Sequence, residues 1–423
     1  MTRRWLLLLL ILLGIGAPAS GQGPSPELRA AADRVAALLQ GGPAPADMFT
    51  PAFLAQVPEA QVRNIAAQLG AQYGAPRRVA RIDPQSPTAG VVHIETERAT
   101  LHMNLVIEPQ PPHRITGLLL TGADVRGDSM DAILEEVRAL PGQASFASAA
   151  LLEGGPSVTA GHETERPLAI GSAFKLWILA ELSRQVRASE RRWSDVVTLD
   201  RRSVPFGTLQ TWPQGAPVTL HTLASLMISV SDNTAADMLL HTLGRDHVER
   251  MMERIGIASA ARNRPLLSTL EVAAIKTGPA PALSLWRQAD EAGRRRLLAD
   301  LAGTDANRID IGRFSGNPLA IDVEWHASAS DLVRTMDWLR RNADDTGRAI
   351  LAINPAVPPA LRGDFAYLGY KGGSEPGVIN LTWLIRTQSG RWHVVTGSWN
   401  NPAAPVDEAR FAALLTRAVQ LLR

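Results

Sequence analysis

Apolar residues recur at helical spacing over Pro26 to Leu39, where Val35, Leu38 and Leu39 fall on one side, and again over Glu59 to Leu69. The period then drops to two. Val79 to Ile82, Gly90 to Thr96, Ala99 to Glu108 and Arg114 to Leu120 alternate as half-buried strands do. Helices followed by an antiparallel run predict a small α+β domain over 24–123. A boundary is expected near Thr121 to Asp128. Beyond it Ser129 caps an amphipathic stretch that runs to Leu140. Ala144 to Leu152 and Ser157 to Gly161 form a hairpin pattern around Glu153-Gly154-Gly155-Pro156. Helical patterns dominate from Ser172 to about Leu301. Strands return at Phe365 to Lys371, Val378 to Thr387 and Arg391 to Trp399, and Val406 to Leu422 reads as a closing helix. Early and late strands around a helical middle predict one sheet completed by both ends of a second domain, 127–423.

The first residues follow another logic. Arg3 and Arg4 precede an unbroken apolar run, Trp5 to Leu13, and small residues follow at Ala17-Pro18-Ala19 and Ala19-Ser20-Gly21. The run is short for a membrane span, so residues 1–21 read as a cleaved signal peptide. That predicts a periplasmic or secreted protein without a stable membrane anchor.

Composition narrows the chemistry. Lys+Arg is 43 against Asp+Glu 41, and that balance gives nucleic acid no basic excess to grip. Cysteine is absent, which removes disulfides, thiolate metal sites and a cysteine nucleophile. The nine histidines are scattered and no HExxH occurs, so neither a metal nor another cofactor is expected. Lysine is confined to Lys175, Lys276 and Lys371; apart from histidine, every other basic side chain is arginine. A guanidinium stays charged, whereas a desolvated ammonium can give up its proton, so the lysines mark positions to inspect.

Two of them lie in motifs. Ser172-Ala173-Phe174-Lys175 opens an apolar helix pattern and sets Ser172 one turn from Lys175. A serine needs a base to become a nucleophile, and a partly desolvated lysine can serve. Ser231-Asp232-Asn233 stands 59 residues further on, in a turn between two helix patterns, where it can relay a proton or simply cap a helix. Lys371-Gly372-Gly373-Ser374 ends a strand pattern, and its glycines leave room for a substrate along the edge. Ser-x-x-Lys, Ser-Asp-Asn and Lys-Gly-Gly in this order resemble the three-part signature of class A β-lactamases and penicillin-binding proteins.

The resemblance implies an α/β sandwich with an antiparallel sheet and a helical lobe. It also implies roles. Ser172 is similar to the acyl-forming nucleophile, Lys175 to its base, and Ser231 to the proton shuttle. Asn233 resembles a substrate-amide ligand, Gly373 lies in the substrate-binding strand, and Lys371 resembles the electrostatic partner of Ser231 and of a substrate carboxylate. The Ser172 and Ser374 amides would form the oxyanion hole. Two departures stand out. Gly372 replaces the family's hydroxyl residue, with Ser374 as a partial substitute. No clean match exists for the deacylating glutamate; the nearest acid, Glu271, fits the first turn of a capped helix. Lys276 reads as a structural or surface residue, and 278–314 as an added helical element. The leading domain loosely resembles cystatin- or NTF2-like domains, and the whole resembles the subgroup of serine hydrolases linked to clavulanic-acid-type clusters. The implied substrate is a small molecule: a β-lactam, an ester or a peptidoglycan-like peptide. A D-Ala-D-Ala carboxypeptidase, an esterase and a sensor that stays acylated are the alternatives.

Overall fold

The computed structural model describes residues 23–42, 47–204, 206–278, 280–301, 303–306 and 309–423. The signal-peptide reading of 1–21 lies outside the described residues. The chain divides into two compact units, 1–126 and 127–423.

In the first unit α1 (Pro26–Leu39), α2 (Pro51–Gln56) and α3 (Glu59–Tyr73) precede a four-stranded antiparallel sheet of β1 (Pro76–Ser86), β2 (Ala89–Thr96), β3 (Ala99–Ile107) and β4 (Ile115–Val125), paired in chain order. The period-two reading explains why. Val92, Ile94, Leu101, Met103 and Leu105 point inward with Leu28, Val35 and Leu38 of α1, forming a core of this unit's own. α3 continues past Leu69 to Tyr73 and stops at Gly74, whose φ of 81° ends it. β4 likewise runs past Leu120 to Val125.

The second unit begins with α4 (Met130–Arg138), capped by the Ser129 hydroxyl, followed by β5 (Gln143–Leu152), β6 (Gly155–His162) and β7 (Leu168–Ala169). A helical lobe follows: α5 (Lys175–Arg187), the short pair β8 (Val196–Thr198) and β9 (Pro217–Thr219), α6 (Leu220–Ser229), α7 (Asn233–Leu243), α8 (Arg245–Ile255), α9 (Thr269–Thr277), α10 (Ala280–Gln288) and α11 (Glu291–Asp300). The chain returns through β10 (His326–Ala327), α12 (Ala329–Asn342), α13 (Asp345–Leu351) and α14 (Pro359–Arg362). It closes with β11 (Phe365–Glu375), β12 (Val378–Thr387), β13 (Trp392–Asn400) and α15 (Glu408–Gln420). The main sheet has the order β11-β12-β13-β5-β6, all antiparallel, so the carboxyl-terminal strands do complete the sheet begun by the hairpin.

Both sheet faces are covered. The face with Leu384 and Val394 packs on α5 and α12, while the face with Trp383, Ile385 and Trp399 packs on α4 and α15. β11 is an edge strand, and it departs from expectation. It does not end at Lys371 but runs on through Gly372-Gly373-Ser374 to Glu375, because Gly373 pairs with Asn380 and Ser374 with Ile379. The turn comes only at Pro376-Gly377. The two-residue strands β7 and β10, which pair with each other, are too short to carry a period in the sequence.

Candidate active site

The nucleophile candidate sits on a turn held from three sides. The Asn400 side chain bonds Ala169 twice, accepting from its N–H at 2.8 Å and donating to its carbonyl at 2.9 Å. The Ile170 N–H donates to the Trp325 carbonyl at 2.9 Å. Phe174 stacks on the Trp325 ring with centroids 3.8 Å apart. Between these anchors Gly171 to Phe174 forms a single 3-10 turn that leads into α5. Gly171 takes φ of 48°, and a Cβ there would stand 3.0 Å from the Ser374 nitrogen. A Cβ on Gly373 would stand 2.2 Å from the Ser172 nitrogen. Turn and strand thus meet backbone to backbone, which only glycine allows. That contact brings the Ser172 and Ser374 amides to one place at the sheet edge.

Lys175, the first residue of α5, is fully buried. Its Nζ donates to the Ser231 carbonyl at 2.7 Å, the Asn233 Oδ1 at 2.8 Å and the Ser231 Oγ at 3.1 Å. Burial pushes its pKa down to about 7, against the pull of Asp237 and Asp232. Lys371 reaches the same Ser231 Oγ at 3.0 Å and bonds the Gly372 carbonyl at 2.6 Å. Burial first, and the Lys175 charge second, hold it well below the usual lysine range. Ser231 therefore links two desolvated amines. It does so at φ of 58°, a costly conformation for a serine that the surroundings impose.

Asp232 imposes it. Its buried carboxylate accepts from the backbone of Thr208 at 2.6 Å, Leu209 at 2.9 Å and Ala235 at 2.9 Å, and the Asn233 N–H donates to the Phe206 carbonyl at 2.9 Å. Gly207 leaves the space, since a Cβ there would lie 2.2 Å from Asp232 Oδ2. Asp237, on α7, accepts from Thr269 and Leu270 at 2.7 and 3.0 Å and so fixes the start of α9 beside Asn233. Burial raises its carboxyl above the ordinary range.

The structure thus brings Ser172, Lys175, Ser231, Asn233, Lys371, Gly373 and Ser374 into one neighbourhood. Glu271 has another occupation. It completes the capping box of α9, accepting from the Ser268 N–H at 2.7 Å while its own N–H donates to the Ser268 hydroxyl at 3.2 Å. Its carboxylate also makes a two-point pair with Arg245 at 2.6 and 3.0 Å.

Three features were not legible from the motifs. Lys276 is not at the surface but fully buried, bonded to Glu324 at 2.9 Å and to both oxygens of Glu375 at 2.7 and 2.8 Å. Burial and the Glu324 carboxylate push Glu375 up to about 8, against the pull of the Lys276 ammonium. This cluster ties α9, the Trp325 loop and the end of β11 together. The second feature concerns the missing hydroxyl at Gly372. A Cβ at that position would lie 2.1 Å from the Tyr370 hydroxyl, two residues earlier on the same strand face, so the phenol occupies the space. The third is Glu408, the first residue of α15, whose carboxylate accepts from the Ser374 hydroxyl and is raised by burial. Only the period of two along β11 hinted at this grouping.

The beta-lactamase enzyme family profile matches residues 129–344, just over half the chain. Comparison with curated protein sequences finds no match. Among solved structures, the chain is similar to a beta-lactamase from Sphaerobacter thermophilus, at 23% identity and TM-score 0.49, over 69% of this chain and 96% of that one. It is also similar to PBP-A, at 17% and 0.46 over 69% and 96%, and to the beta-lactamase of Francisella tularensis, at 11% and 0.48 over 70% and 98%. On the matched residues, this chain belongs to the beta-lactamase enzyme family.

Proposed function

We propose that this protein is a serine hydrolase that forms an acyl-enzyme on Ser172. The observation that carries the reading is the buried amine of Lys175, one turn from Ser172 and hydrogen-bonded to the Ser-Asp-Asn turn. As an ammonium, Lys175 spends all three N–H groups on Ser231 O, Ser231 Oγ and Asn233 Oδ1. As an amine, it keeps two donors for the two carbonyl oxygens and frees a lone pair. That lone pair takes the Ser172 proton as Oγ attacks the substrate carbonyl. Ser231, bonded to both lysines, passes a proton to the leaving group. The amides of Ser172 and Ser374 receive the developing oxyanion. Asn233 holds a substrate amide, and Lys371 donates to an anionic substrate group that comes near.

Water must then attack the acyl-enzyme. Glu271 is a poor base for that step, since Arg245 and the α9 cap hold its carboxylate. We assign water activation to Lys175 once it has passed on its proton, and expect slow deacylation. The substrate is a β-lactam or a related ester or amide, and the protein works in the periplasm or outside the cell. One observation favours an ester over a β-lactam. The position where the related motif carries a hydroxyl for a substrate carboxylate is Gly372, filled by Tyr370, and the nearby Ser374 hydroxyl is engaged by Glu408. An anionic substrate group therefore lacks the hydroxyl donor that the related motif offers it.

Mass spectrometry after exposure to benzylpenicillin, a cephalosporin and a p-nitrophenyl ester tests the reading. A single adduct on Ser172, lost in Ser172→Ala, is expected, with faster steady turnover of the ester. An adduct on another serine overturns the assignment. A burst followed by a lasting stall on every substrate makes the protein an acylated sensor rather than a hydrolase.

A further inference from the structure

Lys276 sits on the last turn of α9 with its side chain fully buried. Its ammonium has three N–H groups, and three carboxylate oxygens receive them: Glu324 Oε1 at 2.9 Å, Glu375 Oε1 at 2.7 Å and Glu375 Oε2 at 2.8 Å. The two acids stand beside the two oxyanion donors. Glu375 follows Ser374, whose amide is one of them. Glu324 precedes Trp325, whose carbonyl takes the Ile170 N–H at 2.9 Å and whose ring stacks on Phe174 at 3.8 Å. Ile170 and Phe174 bracket Ser172, the other donor. One side chain thus grips a neighbour of each.

Both halves need that grip. β11 is an edge strand, so backbone pairing holds its end from the β12 side alone. Gly372 and Gly373 add conformational freedom just before Ser374. The last pair, Glu375 with Val378, leads straight into the turn at Pro376-Gly377. Strand ends of this kind open readily. On the other side Ser172 lies in a single 3-10 turn that leans on Trp325. A preorganised donor must stay within about 0.5 Å of its working place. α9 is itself braced at its other end. Asp237 of α7 accepts from the Thr269 and Leu270 N–H groups at 2.7 and 3.0 Å, and α7 begins at Asn233. The helix therefore connects the Ser-Asp-Asn side of the cleft to its oxyanion side.

We infer that Lys276 is a positioning residue for the oxyanion hole, holding the Ser374 amide through Glu375 and the Ser172 amide through Glu324 and Trp325. The inference rests on the acyl-enzyme reading of Ser172. A lysine suits the place: a compact ammonium directs three donors at three oxygens, whereas a guanidinium spreads its donors in one plane. This gives the third of the chain's three lysines a task at the same cleft as the other two.

Removing Lys276 would strand two buried carboxylates, so the test cuts its two grips one at a time. Glu375→Leu leaves Lys276 paired with Glu324, and Glu324→Leu leaves it paired with Glu375; neither buries an unmatched charge. The full chain and each variant are compared by thermal melting, by stopped-flow acylation with a p-nitrophenyl ester, and by amide hydrogen exchange read by mass spectrometry. In each leucine variant the limiting acylation rate should fall about 100-fold while the half-saturating concentration moves less than about threefold, the mark of an interaction made in the transition state. Exchange should quicken at least about tenfold over 372–375 in Glu375→Leu and over 170–174 in Glu324→Leu, with β12 and β13 unchanged. Glu375→Gln keeps one acceptor in place of two and should lie between, about tenfold slow in acylation, which carries the test if leucine disturbs folding. Unchanged acylation in a folded leucine variant or in Glu375→Gln, a loss confined to half-saturation, or a slower rate without faster exchange in the matching segment overturns the inference. No adduct on Ser172 of the unaltered protein defeats the acyl-enzyme reading instead, and the exchange rates then decide alone whether Lys276 holds the two segments.

Discussion

A lysine amine at the bottom of a cleft is useful only when neutral, and this sets the first expectation. The Lys175 pKa lies at about 7, so acylation should rise as pH increases through that value and level off above it, because the deprotonated form is the base. Stopped-flow acylation between pH 5.5 and 9 reads this directly; a rate that falls over the same range would reverse the assignment. Lys175→Arg should be nearly as damaging as Lys175→Ala, with acylation down at least about 1,000-fold, because a guanidinium cannot accept the proton. Near-normal acylation in the arginine variant would reduce Lys175 to a held charge. Glu271 leads to the opposite expectation. Its carboxylate serves the α9 cap and Arg245, so Glu271→Gln should cost stability, about 1–3 kcal/mol, through the weakened pair and cap. Acylation and deacylation should change together by a small factor. A selective stall of deacylation by orders of magnitude in the same stopped-flow experiment would restore Glu271 as the water-activating base.

At the scale of elements, catalytic geometry depends on the closeness of β11 to the turn at Gly171. Gly373→Ala should abolish acylation, because the added methyl carbon would sit 2.2 Å from the Ser172 nitrogen and 2.3 Å from the Ile170 carbonyl oxygen, both backbone atoms that cannot step aside. Gly154→Ala, in the β5–β6 turn with open space around it, is the control and should leave the rate unchanged. Equal activity in both variants would mean that strand and turn are not in working contact. This contact also marks the limit of what the sequence conveyed. The motif serines and lysines, the hairpin and the late strands were readable because spacing and period are local. The Asp232 and Gly207 pairing, the Tyr370 phenol over Gly372 and the Lys276 cluster join residues 25 to 100 positions apart, or depend on which strand face a side chain takes. The scarcity of lysine was the one global clue. All three lysines prove to be buried; for Lys276, whose reading left a structural and a surface role open, the structure selects the structural one.

For the whole molecule, the division into two units makes a claim about independence. Among the described residues, the buried core of the first unit runs from Leu28 to Ala123, and the buried cores of the second start at Ile133. The chain is anchored on each side of the boundary. The Arg126 side chain bonds Glu95 and the Thr96 carbonyl at 2.9 and 2.7 Å, within the first unit. Asp128 makes a two-point pair with Arg417 at 2.7 and 2.8 Å, within the second. Gly127 stands between them with φ of 65° and open space around its α-carbon. The second unit, about 300 residues long, is large enough to bury its own core, and it contains every residue assigned to acylation. Residues 127–423 produced alone should therefore fold, melt within a few degrees of the corresponding transition of the full chain, and acylate on Ser172 at an unchanged rate. Calorimetric melting and acylation followed by mass spectrometry check both points. A piece that aggregates on refolding, or that folds but acylates more than about tenfold slower, would show that the first unit contributes to the hydrolase itself.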